Sequence, residues 1–456
     1  MKFRYVFLAV LPLLFLSAEC KTPGEDPGTS EPEQAKGKKD YPAPAINPNP
    51  LVDYTKWEIK NGKFYLDGKW VFLKSAKPLV NFADASAVKG VIAALDTLRN
   101  KHYNVVLIDL YWKFFDTDGD GVIDKSLTPL NNLIDEIYQR GMYPGLDFQT
   151  YSVGGNMVPE GFWTAHPDAW AIDSNGDQMK DTEYGTNAKV VSIFYKPFRE
   201  TARNFIRGIL NGVDTKKILW YETTVEPQYM GVFNLCYSES AREEYAAWRT
   251  ANHINDVESV MPETFPIPTS FINNATWNKF RAQFLARWIN EDAAVIRSIA
   301  GEKAYVAVDY LDATEGTMQN RLGDPIEFLT SLTCANIIQV NWTWHLTENH
   351  ANQKAYDRVW QVKNETGRDW AISEHMTFNG SDFTRFDATT LDNILENTLK
   401  QGTRLGWDFT NTYNKSYDDF ALYYNDWTPK KTMKAVDAYW GWWLHRVEEI
   451  EKEKNP

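Results

Sequence analysis

From residue 71 onward, short and nearly unbroken apolar runs alternate with longer stretches whose apolar positions recur at helical spacing. The runs are Val71–Lys74, Asn104–Leu110, Tyr143–Phe148, Ile218–Val225, Ala304–Tyr310, Ile337–Asn341, Trp370–Ser373 and Arg404–Phe409. Helical periodicity marks Val88–Asn100, Leu130–Arg140 (stopped by Gly141), Phe198–Leu210, Trp277–Ala300, Ile326–Cys334, Lys354–Asn364, Leu391–Gln401 and a final Thr432–Val447. Strands apolar on both faces belong in a parallel sheet covered by helices. An open doubly wound sheet would need a Gly-rich phosphate turn after an early strand, and none is present. The pattern therefore predicts an α/β fold, a single (β/α)8 TIM barrel. Ahead of it, Asn61–Trp70 alternates around Asp67-Gly68 and predicts an N-terminal β-hairpin. Residues Gln228 to Asn274 form a long insertion after strand four, helical at Ser238–Ala251, expected to wall one side of a pocket.

The first fifty residues follow neither pattern. Lys2 and Arg4 precede an apolar stretch from Tyr5 to Ser17, a secretory signal too short to span a bilayer. It ends in Leu16-Ser17-Ala18-Glu19-Cys20, which resembles a bacterial lipoprotein cleavage box. The expected organisation is a signal peptide over 1–19, a lipidated Cys20 and Pro/Gly/Glu/Lys-rich tether over 20–50, and the barrel over 51–456. That places the protein in a bacterial cell envelope, held to the membrane by its lipid anchor only, on either the periplasmic or the outer face.

A net charge of −13 excludes nucleic acid as a partner, since little would neutralise phosphates. Cys236 and Cys334, the cysteines besides Cys20, provide neither a disulfide framework nor a zinc site. The 18 Trp and 23 Tyr are numerous; most fill a core, and their flat faces also suit sugar rings, so the expected partner is a carbohydrate.

Barrel enzymes carry their chemistry at the C-terminal ends of strands. Two glutamates stand at such ends: Glu226, before Pro227, closes the fourth run, and Glu374 closes the seventh. Two convergent carboxylates are the minimum equipment for cutting a glycosidic bond. Glu222, four residues before Glu226, has the same strand parity and is the rival, expected deeper in the barrel. The other strand ends supply candidate sugar-binding residues: Asp147 and Gln149, Asp309 and Tyr310, Asn341, Trp342, Trp344 and His345, and Trp407 with Asp408. His345 or Tyr310 would keep Glu374 ionised by donating to it. Only seven histidines occur, with no ligand spacing among them, so no cofactor is expected to be required for catalysis.

At these residues the chain resembles the clan A superfamily of retaining β-glycosidases built on (β/α)8 barrels, and is most similar to the family 42 and family 5 types. Glu226-Pro227 looks like the second half of their Asn-Glu-Pro motif, and Ser373-Glu374 like their strand-seven nucleophile. His166–Ala171, Ser238–Arg249 and Trp277–Arg297 look most like family 42. The resemblance implies hydrolysis of β-linked glycans with retention, Glu226 as acid/base and Glu374 as nucleophile. It also implies a Trp under the reactive sugar, where Trp407 stands. The chain departs from the pattern twice: Val225 replaces the Asn that reads the sugar 2-hydroxyl, and Ile108–Trp112 stands where relatives hold an Arg.

These departures keep a second reading open, a non-catalytic glycan-binding lipoprotein on a degenerate barrel. A third, cleavage of an α-linked glycan through Asp309 and Glu374, leaves Glu226-Pro227 without a role. Separately, Asp116-Thr117-Asp118-Gly119-Asp120-Gly121-Val122-Ile123-Asp124 matches the first nine positions of a calcium loop. Leu127 at position 12 excludes a full EF-hand, so the set Asp116, Asp118, Asp120, Val122 and Asp124 is read either as a structural calcium site or as a solvated acidic turn.

Overall fold

The computed structural model describes residues 51–341 apart from 61–62, 72, 102, 152–156, 182–186, 231–233 and 312–314, together with 353–373, 409–410, 413–414 and 424–428. The signal, Cys20 and tether assignments lie outside these residues, as do the helices expected at 391–401 and 432–447.

A small antiparallel sheet comes first: β1 (Trp57–Lys60), β2 (Lys63–Leu66) and β3 (Lys69–Trp70). Its β2–β3 turn is the expected Asp-Gly hairpin, with Asp67 and Gly68 both left-handed at φ 50° and 72°. β1 is an addition to that expectation, pairing Trp57 with Leu66.

The barrel strands follow: β4 (Leu73–Pro78), β5 (Val105–Tyr111), β6 (Tyr143–Gln149), β7 (Trp220–Glu222), β8 (Tyr305–Leu311), β9 (Ile337–Asn341), β10 (Asp369–Ser373), β11 (Phe409–Thr410) and a short β12 (Tyr413–Asn414) that extends the pairing along β4. Among the described residues every pairing in this sheet is parallel, in the order β10-β9-β8-β7-β6-β5-β4-β11. β10 and β11, at the two ends of that order, come together, so the sheet curls back on itself. The chain has the (β/α)8 fold.

The helices are α1 (Ala85–Asn100), α2 (Trp112–Phe115), α3 (Thr128–Gln139), α4 (Glu160–Ala165), α5 (Lys196–Gly212), α6 (Glu239–Ala251), α7 (Thr269–Ile272), α8 (Ala275–Ala300), α9 (Glu315–Leu322), α10 (Pro325–Ser331) and α11 (Gln353–Thr366). Their starts follow from capping chemistry. Asp84 accepts from the amides of Ser86 and Ala87, Asn274 from those of Thr276 and Trp277, and Ser238 from Ala241. The buried stripe of α5 (Phe198, Ala202, Phe205, Ile206, Ile209, Leu210) covers the sheet, and Phe205 meets Phe148 of β6 edge to face at 6.5 Å.

That contact fixes which side of each strand faces the helices. Leu146 shares the face of Phe148, pairs with Tyr221 and through it with Val306, and the alternation carries this face on to Val308 and Tyr310. The opposite face, into the barrel, holds Asp109, Asp147, Glu222 and Ala307 in one register row. Gly145 lies on that inner face because a Cβ there would meet Leu107 Cδ1 at 3.0 Å and Trp220 Cε2 at 3.1 Å.

The expected insertion after strand four is present. Its segment around Leu235 is clamped by Arg281 of α8, fully buried, which donates to the carbonyls of Leu235, Gln319 and Asn320 and to Asn278 Oδ1, with its guanidinium 4.4 Å from the Tyr229 ring. A buried Arg satisfied almost wholly by carbonyls ties the segment around Leu235 to the end of α9. Replacing Arg281 with Met should cost at least about 3 kcal/mol, because it strands several buried acceptors at once. Urea unfolding followed by circular dichroism measures it, and a loss under about 1 kcal/mol would show the clamp to be dispensable.

Candidate active site

The inner face of the barrel is polar where β4, β5 and β6 approach their C-terminal ends. Lys77, next to last in β4, places its ammonium 3.2 Å from Asp109 Oδ1 and 3.0 Å from Asp147 Oδ2, all three side chains at most 3% exposed. Gln149 Nε2 donates to the same Asp147 Oδ2 at 2.6 Å, and Tyr111 OH donates to Asp109 Oδ2 at 3.2 Å. Glu222 stands beside Asp147 in the register, with Trp220 Nε1 donating to its Oε1 at 3.1 Å. Burial holds Asp109 well above the ordinary carboxyl range; Lys77 pulls the other way, while the charges of Asp147 and Glu222 add to the rise. Burial, then the Asp109 charge, likewise pushes the Tyr111 phenol up.

Glu226 follows in the turn beyond β7. The expected strand Ile218–Val225 is shorter in the structure: its paired part is Trp220–Glu222, and the chain bends from Thr223 on. Glu226 is 6% exposed and left-handed at φ 45°, a costly conformation for a side chain with a Cβ and one that clusters at functional sites. The turn is pinned from behind. Arg321 Nη1 donates to Gln228 Oε1, the Tyr229 amide donates to the Arg321 carbonyl at 2.6 Å, and Tyr229 OH donates to the Arg281 carbonyl at 2.9 Å.

Around these strand ends lie buried polar atoms with no hydrogen-bond partner among the described residues: Asp147 Oδ1, Gln149 Oε1, Thr150 Oγ1, Thr223 Oγ1, Thr224 Oγ1 and Gln228 Nε2. Such atoms are costly in a finished core and natural at a place that receives a hydroxyl-bearing ligand or water.

No known protein-family model matches the chain, and no curated protein sequence matches it. In fold it is similar to glycoside hydrolases. The catalytic domain of a β-amylase from Paenibacillus polymyxa superposes with a TM-score of 0.59 at 13% identity, over 81% of this chain and 97% of that one. A β-galactosidase from the psychrophilic Marinomonas ef1 gives 0.56 at 12% identity, over 83% of this chain and 59% of that one. A GH42 β-galactosidase from G. stearothermophilus gives 0.58 at 12%, over 83% and 57%. The chain thus spans a little over half the length of the galactosidases. At these identities the likeness concerns the barrel itself.

Of the residues singled out by sequence, Asp147, Gln149 and Asp309 lie on the inner face, Asp309 opposite Gln339 of β9. Tyr310 does not join them: adjacent to Asp309 on one strand, it is buried on the side that faces the helices. Asn341 ends β9. Trp342, Trp344, His345, Glu374, Trp407 and Asp408 lie outside the described residues. Lys77, Asp109 and Tyr111 were not among the candidates. The available signal was a charged residue inside an otherwise apolar strand, which requires a buried partner.

The acidic loop lies between α2 and α3. Asp116, Asp118 and Asp120 place carboxylate oxygens within 4.8 Å of one another, Asp116 buried and the other two exposed. Asp116 Oδ2 already accepts from Trp112 Nε1 and the Gly121 amide, each at 2.7 Å, and its Oδ1 from the Gly119 amide at 2.7 Å. Asp124 Oδ2 is turned onto Thr117, and the exposed Val122 donates its amide to Asp120 Oδ1. The carboxylates therefore brace the loop; Asp116 Oδ1, Asp118 and Asp120 keep oxygen lone pairs that a hard cation such as calcium could take.

Removing the ammonium tests the charge arrangement. Lys77→Met should destabilise the protein by about 3–5 kcal/mol at neutral pH, the cost of breaking a buried ion pair from one side. Asp109, deprived of the ammonium that pulls its pKa down, then has a folded pKa raised further above its unfolded one. Its stabilisation is present at low pH and is lost as pH rises through that folded value, so the deficit should be smaller at pH 5 than at pH 8. Urea midpoints of both proteins at the two pH values measure it; an equal deficit at both contradicts the assignment.

Proposed function

We propose that this chain is a glycoside hydrolase acting on β-linked glycans with retention, lipid-anchored in a bacterial cell envelope. The carrying observation is the buried, partly unpartnered row of polar groups at the ends of β6 and β7, beside a strained glutamate, in a fold used by glycosidases. Glu226 is the acid/base. It protonates the glycosidic oxygen as the bond breaks and then takes a proton from water. The nucleophile is Glu374, the residue that follows Ser373 at the end of β10. It forms the covalent glycosyl intermediate, which requires the two carboxyls about 5–5.5 Å apart. Asp147, Gln149 and Asp309 bind the sugar, with Asn341, Trp342, Trp344, His345, Trp407 and Asp408 from the remaining strand ends. Glu222, held by Trp220 in the row beneath, supports the site without reacting. The neighbours' names include both an amylase and β-galactosidases, so it is Glu226-Pro227 that favours a β-linkage here. The anchor rests on the Leu16–Cys20 box and its tether.

A product screen over plant and host polysaccharides identifies the substrate and, from chain lengths, internal or terminal cleavage. On that substrate Glu226→Gln should lower kcat/KM roughly 10²–10⁴-fold. Glu374→Ala should abolish turnover, and azide should restore Glu226→Ala on activated aryl glycosides. Near-wild-type activity in either glutamate variant would remove the assignment; glycan binding without turnover would make the protein a binding lipoprotein instead.

A further inference from the structure

The unpartnered atoms at the strand ends have a definite polarity. Gln149 donates its Nε2 to Asp147 Oδ2, and a carboxylate accepts only donors, so the amide oxygen of Gln149 is the atom left over. Gln228 is turned the other way: its Oε1 accepts from Arg321, leaving Nε2 as a donor. Asp147 keeps Oδ1 as a second free acceptor, on the same strand face as Gln149. The inner face of β6 thus offers two acceptors, one of them charged, and asks its ligand for hydroxyl donors.

The charge balance points the same way. Among the described residues of this row, one ammonium, Lys77, stands against the carboxyls of Asp109, Asp147 and Glu222, with Asp309 further along the inner face. Lys77 lies between Asp109 and Asp147, so these carboxylates form an ion-pair array. A carboxylate or sulfate brought against Asp147 in this buried setting would meet like charge at low dielectric, with Lys77 already engaged among the described residues.

We propose that Asp147 and Gln149, fixed by Lys77, make the site selective for neutral, hydroxyl-presenting sugars and bar uronic acids and sulfated sugars. The inference rests on the glycosidase reading above and adds the class of sugar.

The test pairs chromogenic glycosides that share aglycone and stereochemistry: β-glucoside with β-glucuronide, β-galactoside with β-galacturonide, and each neutral sugar with its 3-sulfate. For every neutral sugar that is cleaved, kcat/KM for its anionic partner should be at least 30-fold lower; a smaller ratio in any pair overturns the selectivity and leaves the glycosidase reading standing. Asp147→Asn should narrow the ratio at least fivefold, and an unchanged ratio in a folded variant refutes the role of Asp147. Should that variant fail to fold, Gln149→Met serves: KM for the neutral sugar should rise at least tenfold with kcat changed less than threefold, and an unchanged KM counts against the array. If no glycoside of either kind is turned over, calorimetric titration with neutral and uronate oligosaccharides separates the two ideas. Binding of neutral sugars alone upholds the selectivity while refuting hydrolysis, equal binding refutes the selectivity, and binding of neither refutes both.

Discussion

The barrel is organised around one buried ammonium. Lys77 brings β4, β5 and β6 to a common point through Asp109 and Asp147, with no more than 3% of any of the three side chains exposed. Desolvating three ionisable groups is expensive, and apolar side chains of the same volume would stabilise the sheet at least as well. Stability alone therefore does not account for the array. What it provides is position. Asp147 Oδ2 is engaged by Lys77 and Gln149 together, which orients Oδ1 and the Gln149 amide oxygen as a fixed pair of acceptors.

A second layer of constraint lies behind the loops. Glu226 occupies a left-handed backbone conformation that its own chemistry does not favour, so neighbouring contacts must over-determine it. Those contacts come from the fifth βα unit and the long helix before it: Arg321 grips Gln228 and Tyr229, while Arg281 binds the segment around Leu235 and the carbonyls of Gln319 and Asn320. An aromatic wall of Phe194, Phe280 and Phe284 packs beneath, with Phe194 and Phe284 centroids 4.3 Å apart. The turn after β7 is thus held still from behind, as the acid/base role proposed for Glu226 requires.

Much of this was legible in the chain. The hairpin turn and the parallel strands follow from local rules, since Asp67-Gly68 does what its chemistry dictates and the apolar runs fall on the ladder, whereas the helix starts at Asp84 and Asn274 came only with the structure. Two readings failed for a common reason: hydropathy reports burial and not pairing or facing. Val225 is buried, so the apolar run extends through it, yet the ladder stops at Glu222. Asp309 and Tyr310 are both buried, yet strand alternation sends only one of them into the barrel. Lys77 escaped because its role depends on Asp109 and Asp147, neighbours set by register, which no local pattern encodes.

Val225 carries the remaining tension. Beside the proposed acid/base, where the resembled glycosidases carry an Asn, this chain has a buried valine whose side chain makes no hydrogen bond. A glycosidase lacking that contact must gain transition-state hydrogen bonds elsewhere, because uniform packing against an apolar side chain does not distinguish the transition state from the ground state. The unpartnered polar atoms of the described residues at this end cluster on β6 and on the turn after β7, on both sides of the missing contact. On the proposed reading, recognition moves by one strand, from the residue before Glu226 to Asp147 and Gln149, which accounts for a valine at 225 and for acceptors held by a buried lysine that a purely structural barrel would not need.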